Sequence, residues 1–221
     1  MAIWLVIYFF LGSKDKKREM FLTSIWTSVF GLTEPIFVPE YWAPPSLFNL
    51  ALKTGFDIES IIFSFGIGGI AVVLYEMIFR TKHISMSLKE RHSARHHFHL
   101  PALLSAPVLF VLFYFLTALN PIYSAILAMA ISGIITWYCR PDLKKKMIVS
   151  AFLFLALYFF YFLTLIAISP GYVERVWDLG VISGILIAGI PLEELLFALS
   201  FGFLWSSVYE HVKWRKTTST F

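Results

Sequence analysis

The chain has 221 residues, of which 58% are hydrophobic, 18% aromatic and only 14% charged, with a net charge of +4 and a mean hydropathy of +0.75. These values exclude a soluble domain of ordinary composition, and apolar stretches of about twenty residues indicate one polytopic membrane domain. A single cysteine, Cys139, excludes an internal disulfide or a cysteine-based cluster.

Met1 leads directly into apolar residues without a basic segment or a small-residue cleavage site, so the amino end does not read as a signal peptide. Ala2 to Leu11 is a short first span, ended by Lys14-Asp-Lys-Lys-Arg18. A second span covers Met20 to Val38 and contains Glu34; Pro39 to Pro45 then forms a proline-broken aromatic loop suited to a membrane interface. The third span runs from Asp57 to Phe79, and the basic loop Arg80 to His99 follows. Pro101 to Leu119 is a fourth span, Asn120-Pro121 a turn, and the fifth span ends near Tyr138. Met147 to Ser169 is the sixth, followed by a loop with Trp177; the Pro191 helix is the seventh and stops at Lys213-Trp-Arg-Lys216.

The loops after spans one, three, five and seven hold sixteen of the eighteen Lys and Arg; the other side has Lys53 and Arg175. By the positive-inside rule this predicts an amino terminus outside and a carboxyl terminus in the cytoplasm. The expected fold is an all-α integral membrane protein of seven transmembrane helices. They read as two parallel three-helix repeats, 1–79 and 121–212, joined by a linker helix at 101–119.

The repeat is visible in the acids. Seventeen positions separate Glu59 from Glu76, and seventeen separate Glu193 from Glu210. Phe63 matches Phe197, Gly68 matches Gly202 and Tyr75 matches Tyr209. Trp42 and Trp177 hold matching places in the two outer loops. Small-residue stripes (Ser64 and Gly68; Ala198, Gly202 and Ser206) predict that the two acid-headed helices meet at the centre.

Glu193 and Glu194 behind Pro191 suit a helix dipole, which is the plain reading. The apolar stretch before them, Val181 to Ile190, supports a second: acids held below the surface and kept neutral, able to donate a proton. Glu59 takes the place of Glu193 in the first half, with Ser60 in place of Glu194. Glu76 and Glu210 read as structural acids paired with Arg80 and Lys213, and Glu34 is left as an additional acid. Phe63 and Phe197 lie four residues after the leading glutamates, on the same helix face. Their rings can shelter a cation or simply pack. His92, His96 and His97 have the spacing of a di-iron box, but six histidines are too few for such a centre. That stretch therefore reads as a solvated basic loop, with no metal expected. Gly66-Ile-Gly-Gly69 reads as helix packing and not as a phosphate loop.

At its acids the sequence resembles the lycopene cyclase domain family, the cofactor-independent membrane carotenoid cyclases. The hallmark Pro-x-Glu-(Glu/Asp)-x-x-Phe is met in full by Pro191-Leu-Glu193-Glu194-Leu-Leu-Phe197. Asp57-Ile-Glu59-Ser60-Ile-Ile-Phe63 keeps the Glu and Phe but lacks the Pro and the second acid. The resemblance implies proton-initiated cyclisation of a linear carotenoid such as lycopene to β-ionone rings. It implies Glu193 or Glu194 as donor, Glu59 as base or partner, and Phe197, Phe63, Trp42 and Trp177 as substrate-binding aromatics. No cofactor and no nucleic acid are implied; the partners are the bilayer, a polyene drawn from it, and other carotenoid enzymes. Rival readings are a cyclase of another polyprenyl substrate, a proton-coupled transporter and a carotenoid-binding membrane protein.

Overall fold

The apolar runs form helices because a bilayer leaves backbone polar groups no partners but one another. The computed structural model describes residues 1–218 and is mostly helical. The principal helices are α1 (Ala2–Phe10), α2 (Lys14–Ser28), α3 (Ile58–Phe79) and α4 (His99–Leu116). They continue with α5 (Pro121–Cys139), α6 (Lys144–Ile168), α7 (Leu192–Trp205) and α8 (Val208–Lys213). Local chemistry fixes several starts. The Asp57 carboxylate caps α3 by accepting from Ser60 N at 2.6 Å, and Asn120 caps α5 with Pro121 in the first turn.

Among the described residues, five helical segments are long and apolar enough to cross a membrane: Ile58–Phe79, Ala94–Leu116, Pro121–Cys139, Pro141–Ile168 and Leu192–Lys213. They correspond to the third to seventh expected spans, and they make this a membrane protein. The first two expected spans differ. Helix α1 has nine residues, about 14 Å at ~1.5 Å per residue, against a hydrocarbon core of about 30 Å. Helix α2 opens with six charged residues and ends at Ser28, where a 3-10 turn (Val29–Thr33) and a short helix (Glu34–Phe37) take over. Neither is long and apolar enough to cross by itself.

Helix α3 packs along α2, α7 along α6 and α5, and α4 along α5. The glycines of the small-residue stripes serve the contacts within each half. A Cβ on Gly68 would lie 1.8 Å from Thr27 Oγ1 of α2; one on Gly202 would lie 2.9 Å from the Ser150 carbonyl of α6. Helices α3 and α7 also touch each other, as expected, though less extensively than each packs within its own half.

Two pieces of extended chain close the ends. At one end Trp42 and Trp177 form a β-bridge, flanked by Ala43 N donating to Val176 O and Asp178 N donating to Tyr41 O. At the other, β1 (Lys82–Ser85) pairs antiparallel with β4 (Arg215–Thr218). A hairpin of β2 (Leu186–Ile187) and β3 (Ile190–Pro191) leads into α7. Its two turn residues, Ala188 and Gly189, both have positive φ, as a two-residue turn matched to strand twist requires.

The basic end holds a buried charge cluster. Lys146 donates to Glu76 at 2.9 Å and also to Glu210, Glu19 lies 3.8 Å away, and His83 Nε2 is 2.7 Å from Glu76. Glu76 and Glu210 are bound by Lys146 and His83, partners the sequence reading did not name. Lys213 sits over the Trp26 ring.

Candidate active site

The hairpin delivers the chain to Pro191 so that both acids fall in the first turn of α7. Successive residues on a helix point about 100° apart, and the two carboxylates accordingly enter different surroundings. Glu194 turns inward. Its Oε1 accepts from Tyr41 Oη at 2.6 Å and Trp177 Nε1 at 2.9 Å, and its Oε2 accepts from Tyr158 Oη at 2.7 Å. These donors come from the two outer loops and from α6. Burial, then the charge of Glu194, pushes the Tyr41 phenol well above its usual range. It therefore stays protonated and keeps donating.

Glu193 is also buried, at 1% exposure, but it faces the loop before the hairpin. Its Oε1 accepts from Tyr123 Oη at 2.6 Å and from Ser183 N at 3.0 Å. It is not part of the cavity wall onto which Glu194 opens. The sequence treats the two acids as alternatives for one role, and the structure separates them.

The cavity is about 1050 Å³. Its wall runs from Trp42, Trp177 and Glu194 at one end to His211 and Val212 at the other. Glu194 and His211 are seventeen positions apart, roughly 25 Å of helix at about 1.5 Å per residue. The lining is mainly apolar and aromatic, and all four expected aromatics, Phe63, Phe197, Trp42 and Trp177, belong to it. Phe197 stacks on Phe201 at 5.6 Å, and Trp42 meets Trp177 at 5.6 Å. Helix α4 lines the cavity opposite α3, with Pro107 and Phe110 on its wall.

A second group of acids stands on the same wall. Glu59, exposed, accepts from Leu47 N at 2.7 Å. Glu34 is 6% exposed, and its Oε1 has no partner among the described residues. Ser60 occupies the position that Glu194 has in the second half, and the first half's buried acids on the cavity wall are Glu34 and Asp57.

Sequence reasoning missed Tyr41, Tyr158 and Tyr123. Tyr158 sits in a run of aromatics, Tyr158-Phe-Phe-Tyr161, with nothing to single it out. Tyr41 had a signal, a phenol beside Trp42 in a loop already marked as interfacial.

A family model described as lycopene cyclase matches residues 120–212; no curated protein and no solved structure matches the chain. The matched stretch spans α5 to the end of α8 and includes Tyr123, Tyr158, Trp177, Glu193 and Glu194. It leaves Glu34, Tyr41 and Glu59 outside. Residues 120–212, less than half of the chain, are therefore similar to the lycopene cyclase family, the family that the paired acids of α7 led us to expect.

Proposed function

We propose that this protein is a carotenoid end-group cyclase in which Glu194 supplies the proton that starts ring closure. The observation that carries the reading is a buried carboxyl group opening onto a long aromatic cavity and held by three donors from separate segments. The carboxyl O–H breaks as its proton adds to the terminal isoprenoid double bond, which leaves a tertiary cation. The next double bond attacks that cation and closes a six-membered ring. A base then removes a ring proton and a β-ionone double bond forms. Substrate and product are isomers, so the balance needs no flavin or nicotinamide.

The donors act on the charge that appears. When Glu194 gives up its proton, Tyr41, Tyr158 and Trp177 already point at the carboxylate, and no reorganisation is needed to stabilise it. The ring faces of Phe197, Phe63, Trp42 and Trp177 attract the positive charge on the substrate. Glu59 remains the base candidate from sequence. Glu34, more deeply buried and with one oxygen free, joins it. Glu193 becomes a positioning residue that ties the Ser183 loop and Tyr123 to the head of α7.

The same reading includes the repeat and the orientation. Trp42 pairs with Trp177, Gly68 seats α3 on α2 as Gly202 seats α7 on α6, and Glu76 and Glu210 meet at Lys146. These pairings support a twofold relation between the halves, and the basic loops put the Lys146 end in the cytoplasm. The polyene reaches the cavity from the bilayer, between α3 and α4.

Membranes of a lycopene-accumulating host expressing the chain test this. Cyclised carotenoids should form without added flavin or nicotinamide. Lycopene recovered bound but unchanged would favour a binding protein, and lycopene left untouched would point to another polyprenyl substrate.

A further inference from the structure

Four side chains outside the acid site converge at the basic end of the cavity. His96 comes from a 3-10 turn (Ala94–Phe98), His99 from the first position of α4, Cys139 from the last of α5 and His211 from α8. The basic loop is therefore not uniformly solvated. His92 and His97 are exposed, His96 is half-buried and His99 is buried. We propose that His96, His99 and Cys139 form a three-ligand site for a zinc-type divalent cation, with His211 against the thiol.

Cys139 Sγ lies 3.7 Å from His96 Nδ1 and 3.7 Å from His211 Nε2. In a tetrahedral zinc site with Zn–S of about 2.3 Å and Zn–N of about 2.0–2.1 Å, sulfur and nitrogen ligands stand about 3.6 Å apart. One donor atom each from His96, His99 and Cys139 falls within 4.8 Å of the others, and the rings of His99 and His211 are 4.3 Å apart. These distances match that ligand spacing, although a thiol donating to one imidazole and accepting from the other would also give them.

A second observation points to a ligand. His99 is 8% exposed, and neither of its ring nitrogens has a hydrogen-bond partner among the described residues. Buried imidazole nitrogens are normally satisfied, and a metal would satisfy one here. Stacking on Trp214 at 3.7 Å and 11° fixes the ring. The neighbouring Arg140 is engaged by Asp142 at 2.9 and 2.7 Å, so the thiolate charge remains to favour a cation.

The other convergent group is Glu19, Glu76, His83 and Glu210. It already holds a cation, the Lys146 ammonium bonded to Glu76 and Glu210. The Cys/His group has no such occupant, and its softer donors suit zinc, or cobalt as a probe. Bound metal would join the 3-10 turn, α4 and α5 beside His211, which reaches the cavity. The inference does not depend on the cyclase reading.

The test is metal content of the full chain, purified in detergent from zinc-supplemented cells. We expect about one zinc per chain, and a thiolate-to-cobalt charge-transfer band when the metal-stripped protein is titrated with Co²⁺. Cys139→Ala and His99→Ala, each eluting as a single species, should cut zinc content about tenfold or more, and Glu19→Gln should leave it unchanged. Zinc retained in both ligand variants, or wild type with neither zinc nor the cobalt band, would overturn the proposal. The cobalt band is read on wild type, so misfolded variants do not decide the outcome.

Discussion

Glu193 and Glu194 share a peptide bond but not a setting, and the difference comes from what each side chain meets. Glu194 meets two phenols and an indole and opens onto the cavity; Glu193 meets Tyr123 and a loop N–H. A hydrogen bond to a charged group contributes about 1.5–3 kcal/mol, so Tyr158→Phe should slow cyclisation roughly 10–100-fold. Lycopene bound per chain should stay near wild type. Loss of binding with unchanged turnover would mean that Tyr158 shapes the cavity instead. The acid pair was legible because carboxylates are conspicuous in an apolar stretch. Its donors were not, because a phenol among many aromatics carries no mark until the fold shows where it points.

His83 supplies the pH dependence at this scale. Burial opposes its charge, but hydrogen bonds to Glu210 and Glu76 and the charge of Glu19 outweigh it and push the imidazole up to about 10. A folded value above the unfolded one, about 6.5, means that its stabilisation is complete below that pH. It fades as pH climbs to about 10. Melting temperature in detergent should fall over that window, and His83→Asn should flatten the fall. A wild-type profile level from neutral to alkaline pH would contradict the assignment.

Among the elements, the helices expected from apolar runs are present, and the two shortest are where the sequence reading and the structure part. A run of ten apolar residues forms a helix but does not reach across a bilayer. The small-residue stripes were also legible, though spacing alone does not say which neighbour a stripe admits. Gly202 faces α6, where a new methyl group would meet backbone at 2.9 Å and Phe154 Cβ at 2.8 Å. Overpacking of this kind costs about 1–3 kcal/mol, so Gly202→Ala should lower the melting temperature in detergent. An unchanged value would show that α6 and α7 separate easily. Gly68→Ala presses on the Thr27 side chain instead, whose hydroxyl is bonded to the Thr23 carbonyl.

At the scale of the molecule, a greasy chamber runs from the acid end to the basic end, and each end is closed by polar chemistry of its own. Composition made the membrane character legible. The chamber was not legible, since it arises where α4 stands away from α3 and no single segment encodes it. Lys146 anchors the basic end. Replacing it with Met would leave Glu19, Glu76 and Glu210 buried without their ammonium, which costs about 3–5 kcal/mol when one partner of a buried pair is removed. Such a variant should be recovered in much lower yield as a single species.

The most direct test of the account compares Glu194→Gln with Glu193→Gln in the same lycopene-accumulating membranes, at matched protein levels. The geometry predicts that Glu194→Gln loses cyclised product by about 100-fold or more, the contribution of a general acid, while Glu193→Gln keeps more than about a tenth of it. Product formed at the wild-type rate by Glu194→Gln would contradict the account.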